Sequence, residues 1–403
     1  MTLLFSWKLP EARDQTKVHR KVSRLDLFFD LMFVLLLRDL FYVLNNDVSI
    51  EIFGKIFLFF APARLIRHWY NFYVQRFEES TIRHRLMTFL LMWAIGVYSF
   101  SIHDAWLEVT QTLIVSWAIG HMILWYMFMS ASRFQISEMI PRIAFVVWVL
   151  HLLYSLFRLL WWYGILWWSM NLIMLITTLL FILFLFSVPF IFNYVPRIHS
   201  AHLSERFWLF VIIVLAELIY GLIAGLSEAL FFDSTVVLIG IWWFLMGVMI
   251  RGLYFDIIWH NSIRASSIRY VTHRSLLHLP LSLAIIYLGG MFLHLIFQVS
   301  SNIIQTELMF LTWWLVLVIF LIIWVLSTFH EFEYTKNTEN SRLSKNLPGY
   351  IIITESIIFW WVLRFLQIST PVALLYTLLL FFLINLIWFH IFFDPLDSDE
   401  EFE

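Results

Sequence analysis

The chain has 403 residues, 62% apolar, 19% aromatic and 13% charged, with a formal net charge of -2 and no cysteine. A soluble domain carries about 25% charged residues, so this composition excludes an ordinary soluble protein and points to an integral membrane one. The missing cysteines exclude disulfides and thiolate sites, and the near-neutral charge with its acidic tail DPLDSDEEFE gives no support for nucleic-acid binding.

MTLLFSW is too short for the apolar region of a secretory signal, and Lys8, Arg13, Lys17, Arg20, Lys21 and Arg24 come after it, so the first helix is expected to be a retained signal anchor. Apolar windows of about 20 residues then predict spans at 25–44, 50–73, 86–102, 107–130, 139–160, 165–192, 203–226, 234–258, 276–298, 309–328, 349–368 and 371–393. The expected fold is an all-α membrane protein of about twelve transmembrane helices. It comprises a basic N-terminal segment at 1–24, a membrane domain at 25–393 and an acidic tail at 394–403. Alternate loops carry Arg76, Arg83 and Arg85, then Arg133 and Arg142, then Arg197 and Arg206, then Arg264, Arg269 and Arg274, then Lys336, Arg342 and Lys345. The opposite loops carry none, apart from Arg158 at the end of one span, so both termini are predicted to be cytoplasmic.

The two halves of the membrane domain, 25–193 and 203–393, read as a parallel repeat of six helices each. Ser23 and Ser204, Phe29 and Phe210, and Tyr73 and Tyr254 keep one offset, while His84 and His278, and Gly96 and Gly290, keep a slightly longer one.

Charges inside the spans are the candidate chemistry, because each costs on the order of 3 kcal/mol in hydrocarbon unless paired or near an interface. In the first span Asp26 and Asp30 are four apart and share a helix face. Asp26, in the first turn, is explained by nearness to water and the positive end of the helix dipole, whereas Asp30, among Phe28, Phe29 and Phe33, calls for a basic partner. Arg38 and Asp39 lie near the outer end of that span, within snorkelling range. The second span supplies Arg64, Arg67 and His68 on one stripe just after Pro62, which disrupts the helix ladder. Pairing of this stripe with Asp26 and Asp30 gives either a structural ion-pair network or a surface that attracts anions or relays protons.

Glu217 sits roughly ten residues, or about 15 Å, into an uninterrupted apolar run, too deep for a short side chain to reach water. It has to be protonated, paired or facing a hydrated space, with Arg251 and His294 as the expected partners; Arg206 is about three turns away. His199, His202 and Glu205 have a spacing that fits metal ligation, but a cap at the start of the helix explains them as well, and no metal or other cofactor is assigned. His121, His151 and His294 are single histidines in apolar spans, expected to make interhelical hydrogen bonds. Walker, GxGxxG, HExxH and GxSxG motifs are missing.

Several stretches, taken together, resemble a known family. VSRLDLFFDLMFV (22–34) is similar to the opening motif of the low temperature requirement A (LtrA) family of bacterial membrane proteins, which typically has Glu where this chain has Asp26. HLSERFWLFVIIVLAELI (202–219) resembles its central motif, with Ala216 in place of the usual Gly and Leu218 where Ser is common. RFEESTIRHRL (76–86), LYFD (253–256) and HLPL (278–281) extend the match, which runs from about Val22 past Gly290. Asp26, Phe28, Phe29, Asp30, His202, Glu205, Arg206, Glu217, Tyr254 and Asp256 lie in these motifs. The resemblance implies a multi-pass protein of the bacterial inner membrane; the family name describes a phenotype and supplies no catalytic residues.

The expected function is transporter-like: movement of a small solute or ion, with proton coupling through Glu217. Asp30, Arg64, Arg67, His68, Glu217 and Arg251 are the candidate path residues. The alternatives are an enzyme acting on a lipid-like substrate, with polar groups converging at one leaflet, and a non-catalytic membrane component. The lipid bilayer is the one partner the sequence identifies.

Overall fold

In a computed structural model of the chain, the residues described are 23–44, 48–75, 77, 81–105, 111–132, 200–229, 234–255, 258, 262–263, 268–300, 306–327 and 330–331. They form helices α1 (Arg24–Leu44), α2 (Ile50–Val74), α3 (Ile82–Ala105), α4 (Gln111–Ser132), α5 (Ser200–Glu228), α6 (Ser234–Tyr254), α7 (Ile268–Ser300) and α8 (Thr306–Ser327). A two-residue strand β1 (Ser262–Ile263) pairs antiparallel with β2 (His330–Glu331), a small clip between the segments after α6 and α8. Eight of the predicted spans therefore coincide with helices, seven of them to within about four residues at each end, while α7 begins eight residues before its predicted start. Those at 139–160, 165–192, 349–368 and 371–393, like the acidic tail, lie outside the described residues.

Three of the helices begin where a small hydroxyl residue can satisfy the first turn. Ser23 Oγ accepts from Asp26 N at 3.1 Å, Ser49 Oγ from Ile52 N at 3.4 Å, and Thr81 Oγ1 from His84 N at 3.2 Å. In lipid such caps replace water that a soluble helix would recruit. Pro62 stays inside α2 and has no N–H for the carbonyl of Leu58; one residue on, Tyr98 of α3 donates to the carbonyl of Phe59 at 2.7 Å. That contact ties α3 to α2 at the point where the ladder is weakest.

Five helices are long and apolar enough to cross a membrane among the described residues: Ile82–Ile102, Thr112–Ser130, Glu205–Ser227, Val236–Tyr254 and Arg274–Gln298. The charged and polar side chains of α1 and α2 keep those two out of this set. The Arg274–Gln298 span is 89% buried while the other four are 50% or less, which makes α7 the central helix. It packs against α5, α8, α1, α2 and α6. Phe89, Trp93 and Phe100 on α3, Ile219 and Ile223 on α5, and Ile241 and Phe244 on α6 point outward as a lipid-facing surface would.

Glycines set the closest approaches, since apolar side chains gain little by leaving lipid and membrane helices associate through packing. Gly221 and Gly225, one turn apart on α5, lie on the backbone of α7: a Cβ on Gly221 would stand 2.5 Å from the carbonyl oxygen of Gly289, and one on Gly225 3.0 Å from Leu293 Cα. Gly54 on α2 has nothing within 4 Å. Gly221→Ala is therefore expected to destabilise the protein by about 1–3 kcal/mol, read as a lower melting temperature in detergent micelles. Gly54→Ala should melt no lower than wild type; equal melting of the two variants would contradict the close α5–α7 contact.

Candidate functional site

The N-terminal parts of α1, α3, α5 and α7 and the C-terminal parts of α2 and α6 meet at one end of the bundle, and there the charges converge. Asp30 sits between two guanidinium groups. Arg67 Nε donates to its Oδ1 at 2.7 Å and Arg206 Nη2 to its Oδ2 at 3.4 Å. Arg206 Nη1 reaches Asp26 Oδ1 at 3.3 Å, and Tyr70 OH donates to the same oxygen at 3.2 Å. Arg67 Nη2 also donates to the backbone carbonyl of Arg206 at 2.9 Å. All five side chains are buried, Asp26, Arg67, Tyr70 and Arg206 completely. Burying such ions is costly, and the multiple charge-assisted bonds to each carboxylate are the condition under which the arrangement is tolerated.

Aromatic rings complete the shell. Arg67 lies 4.0 Å and Arg64 4.8 Å from the centroid of Phe210, and Arg206 lies 5.4 Å from that of Tyr70. Stacked guanidinium groups keep part of their stabilisation where water is excluded. Phe29 packs on Tyr70 at 4.0 Å, while Phe28 is about half exposed on the opposite side of α1.

The second half contributes a polar relay beside this network. His278 Nδ1 lies 2.7 Å from the carbonyl of Arg274, which can only accept, so Nδ1 carries the proton. In the neutral ring Nε2 is then an acceptor, and Tyr254 OH donates to it at 2.8 Å. Phe207 stacks on the same imidazole at 4.6 Å. His68 joins the halves through a 2.5 Å bond between its Nδ1 and Ser275 Oγ.

Several expectations change in three dimensions. Nearness to an interface does not account for Asp26; it is wholly buried and ion-paired, because α5 brings Arg206 over it. Of the basic stripe on α2, Arg67 alone pairs with Asp30. Arg64 faces Phe210 and His68 faces Ser275. Arg206, Tyr70, Arg274 and His278 are site residues that charge patterning alone does not single out; the signal for Arg206 is the SERF stretch of the central motif.

Glu217 is buried in the middle of the Glu205–Ser227 span. Neither expected partner reaches it: Arg251 is exposed, 5.3 Å from the Phe255 ring, and His294 Nε2 bonds the carbonyl of Leu44 at 2.8 Å. Among the described residues Glu217 makes no hydrogen bond or ion pair, and the charged side chain close enough to act on it is Arg38 of α1. Near that level Ser99 donates to Asp39 at 2.5 Å. His121 Nδ1 bonds the carbonyl of Trp117 in its own helix at 3.0 Å. His151, His199 and Asp256 lie outside the described residues, as does the side chain of His202, and Glu205 is half-buried.

Helices this apolar, lipid-facing outside and ion-paired inside, define a polytopic α-helical membrane protein. The chain belongs to the bacterial low temperature requirement A protein (LtrA) family, whose model matches residues 21–392. Neither the curated proteins nor the solved structures contain a match to it.

Removing the bridging carboxylate takes the ion-pair partner from buried Arg67 and leaves buried Arg206 paired with Asp26. Asp30→Asn is expected to cost about 3–5 kcal/mol, measured as loss of folded protein and a lower melting temperature in detergent. Combining it with Arg67→Met should recover part of that loss, and independent, additive effects would contradict the ion pair.

Proposed function

We propose that the protein is a transporter-like carrier of a small solute or ion in the bacterial inner membrane, with both termini cytoplasmic and a proton taken up and released at Glu217. The reading rests chiefly on Glu217 itself. Structural carboxylates in this protein are held by partners, as Asp30 is by Arg67 and Arg206. Glu217 is buried at mid-span without such a partner among the described residues, and an intramembrane carboxyl of this kind belongs to an ion or proton path by default.

The packing supports two related halves. In the first, α1 packs on α2 and α3, and α4 on α2 and α3; in the second, α5 packs on α6 and α7, and α8 on α6 and α7. Thr81, which caps α3, and His84 and Thr88 within it have the same spacing as Ser275, His278 and Ser282 on α7. Thr88 Oγ1 donates to the carbonyl of His84 at 2.9 Å, and Ser282 Oγ donates to that of His278 at 2.6 Å. Tyr73 stacks on His84 at 5.9 Å where its counterpart Tyr254 bonds His278. Parallel repeats around a central site are a recurrent transporter design, and rocking of one half against the other alternates access to it.

Proteoliposomes loaded with a pH-sensitive dye test this function. Under an imposed pH gradient the wild-type protein should dissipate the gradient faster than protein-free vesicles, and Glu217→Gln should slow that flux by roughly tenfold or more. Equal rates for variant and wild type would remove Glu217 from the mechanism; a wild-type rate no greater than that of bare vesicles would sink the proton-coupled reading.

A further inference from the structure

One helix face remains unexplained by the ion pairs. Arg64, His68 and Asn71 on α2 and Gln75, its C-cap in helical conformation, succeed one another at intervals of four, three and four residues, which places them on a single stripe within about 60° of arc. All four are buried, between 2% and 4% exposed. His68 is held by Ser275 of α7. The other three carry polar atoms shut off from the surface with no hydrogen-bond partner among the described residues: Nε and Nη2 of Arg64, both amide atoms of Asn71, and both amide atoms of Gln75.

An unmatched buried polar group costs about 1–3 kcal/mol, and a buried charge considerably more. Retaining three on one stripe is therefore hard to account for by packing alone. Arg64 is the sharpest case. Asp26 and Asp30 are engaged by Arg67 and Arg206, and no carboxylate among the described residues lies within ion-pair distance of Arg64. Its charged and polar neighbours are Arg67, Asp30 and the Tyr254 hydroxyl. The ring of Phe210 lies against its guanidinium face, and along the donor edge Nε and Nη2 meet no acceptor among the described residues. The stripe, in the first half of the chain, faces elements of the second: Phe210 on α5, Tyr254 on α6 and Ser275 on α7.

We propose that Arg64 anchors an oxyanion, a phosphate or carboxylate group bound through Nε and Nη2, and that Asn71 and Gln75 line the approach to it along α2. This deepens the transporter reading by naming the chemical class of the solute, and it rests on that reading only for the passage of the bound anion across the membrane. A guanidinium fork recognises a planar or tetrahedral oxyanion through two parallel N–H bonds, whereas a monatomic anion cannot span both. Amide groups on the approach supply both donors and acceptors, so they hydrate an incoming anion without trapping it. The oxyanion comes from a free small molecule or from the headgroup of an anionic lipid, and the two sources are separable.

Binding is tested without transport, on the purified full chain in nanodiscs of zwitterionic lipid, by tracking the melting temperature as inorganic phosphate or acetate is added at constant chloride. The wild-type protein should be stabilised saturably by at least one of them. Arg64→Gln should bind about tenfold or more weakly, and Arg64→Lys, which keeps charge but loses the fork, should fall between. In the absence of anion, Arg64→Gln should melt no lower than wild type, since it removes an unmatched charge; a large drop would mean that protein partners hold the side chain and would overturn the site. In a second arm phosphatidylglycerol replaces the zwitterionic lipid. Arg64-dependent stabilisation there alone assigns the group to a headgroup; stabilisation by soluble anion assigns it to a free solute. No saturable effect from any probe, or equal effects on wild type and Arg64→Gln, would refute the proposal. Binding at Arg64 without flux in the proteoliposome assay would defeat the transporter reading and leave the site, while Glu217-dependent flux without binding would do the reverse.

Discussion

The bridge of Asp30 between Arg67 and Arg206 is the constraint around which the described structure is arranged. It joins α1, α2 and α5, and so links the first half of the chain to the second inside a region that excludes water. Neither the carboxylate nor the guanidinium groups are tolerable there alone, and the three helices have to keep their register for the bonds to persist. Asp26 and Tyr70 extend the same lock, and the backbone carbonyl of Arg206 accepts a further bond from Arg67. Networks of this kind are weak contributors to net stability compared with apolar packing, but they penalise any alternative docking of the helices.

Apolar contact does the rest in a manner suited to lipid. The central α7 is enclosed by five neighbours, and glycines on α5 bring its backbone against that of α7. Glu217 lies one turn before Gly221, where the two helices are closest, so a shift of α5 against α7 would change the surroundings of its carboxyl directly. The charged network at one end and the carboxyl at mid-span thus sit on the same helix. That offers a mechanical connection between the proposed anion site on α2 and the proposed proton site on α5.

Much of the fold was legible in the sequence because a membrane helix has to be apolar over its whole length. The eight described helices lie where hydropathy placed them, with Ser23, Ser49 and Thr81 marking the starts of three. The Tyr and His pairs that suggested a repeat were visible as two slightly different offsets, and these residues make ring or hydrogen-bond contacts that the offsets alone could not specify: His84 with Tyr73, and Tyr254 with His278. Partner choice was much less legible. The spacing of Arg64, Arg67 and His68 put them on one broad face, yet steps of three and four residues fan the side chains over about 100° of the helix, enough to direct them to different neighbours.

Sequence alone determined that this is a multi-helix membrane protein of the LtrA family and that Asp30 and Glu217 needed an explanation beyond an interface, since the cost of burying a carboxylate can be read from depth in an apolar run. Tertiary structure decided how each was resolved. Arg206, far along the chain, comes back to cover Asp26 and Asp30, whereas no basic side chain reaches Glu217 to form an ion pair among the described residues. The difference arises because hydropathy depends on each residue's own transfer energy, while ion pairing depends on which helices pack together and on how each is rotated about its axis.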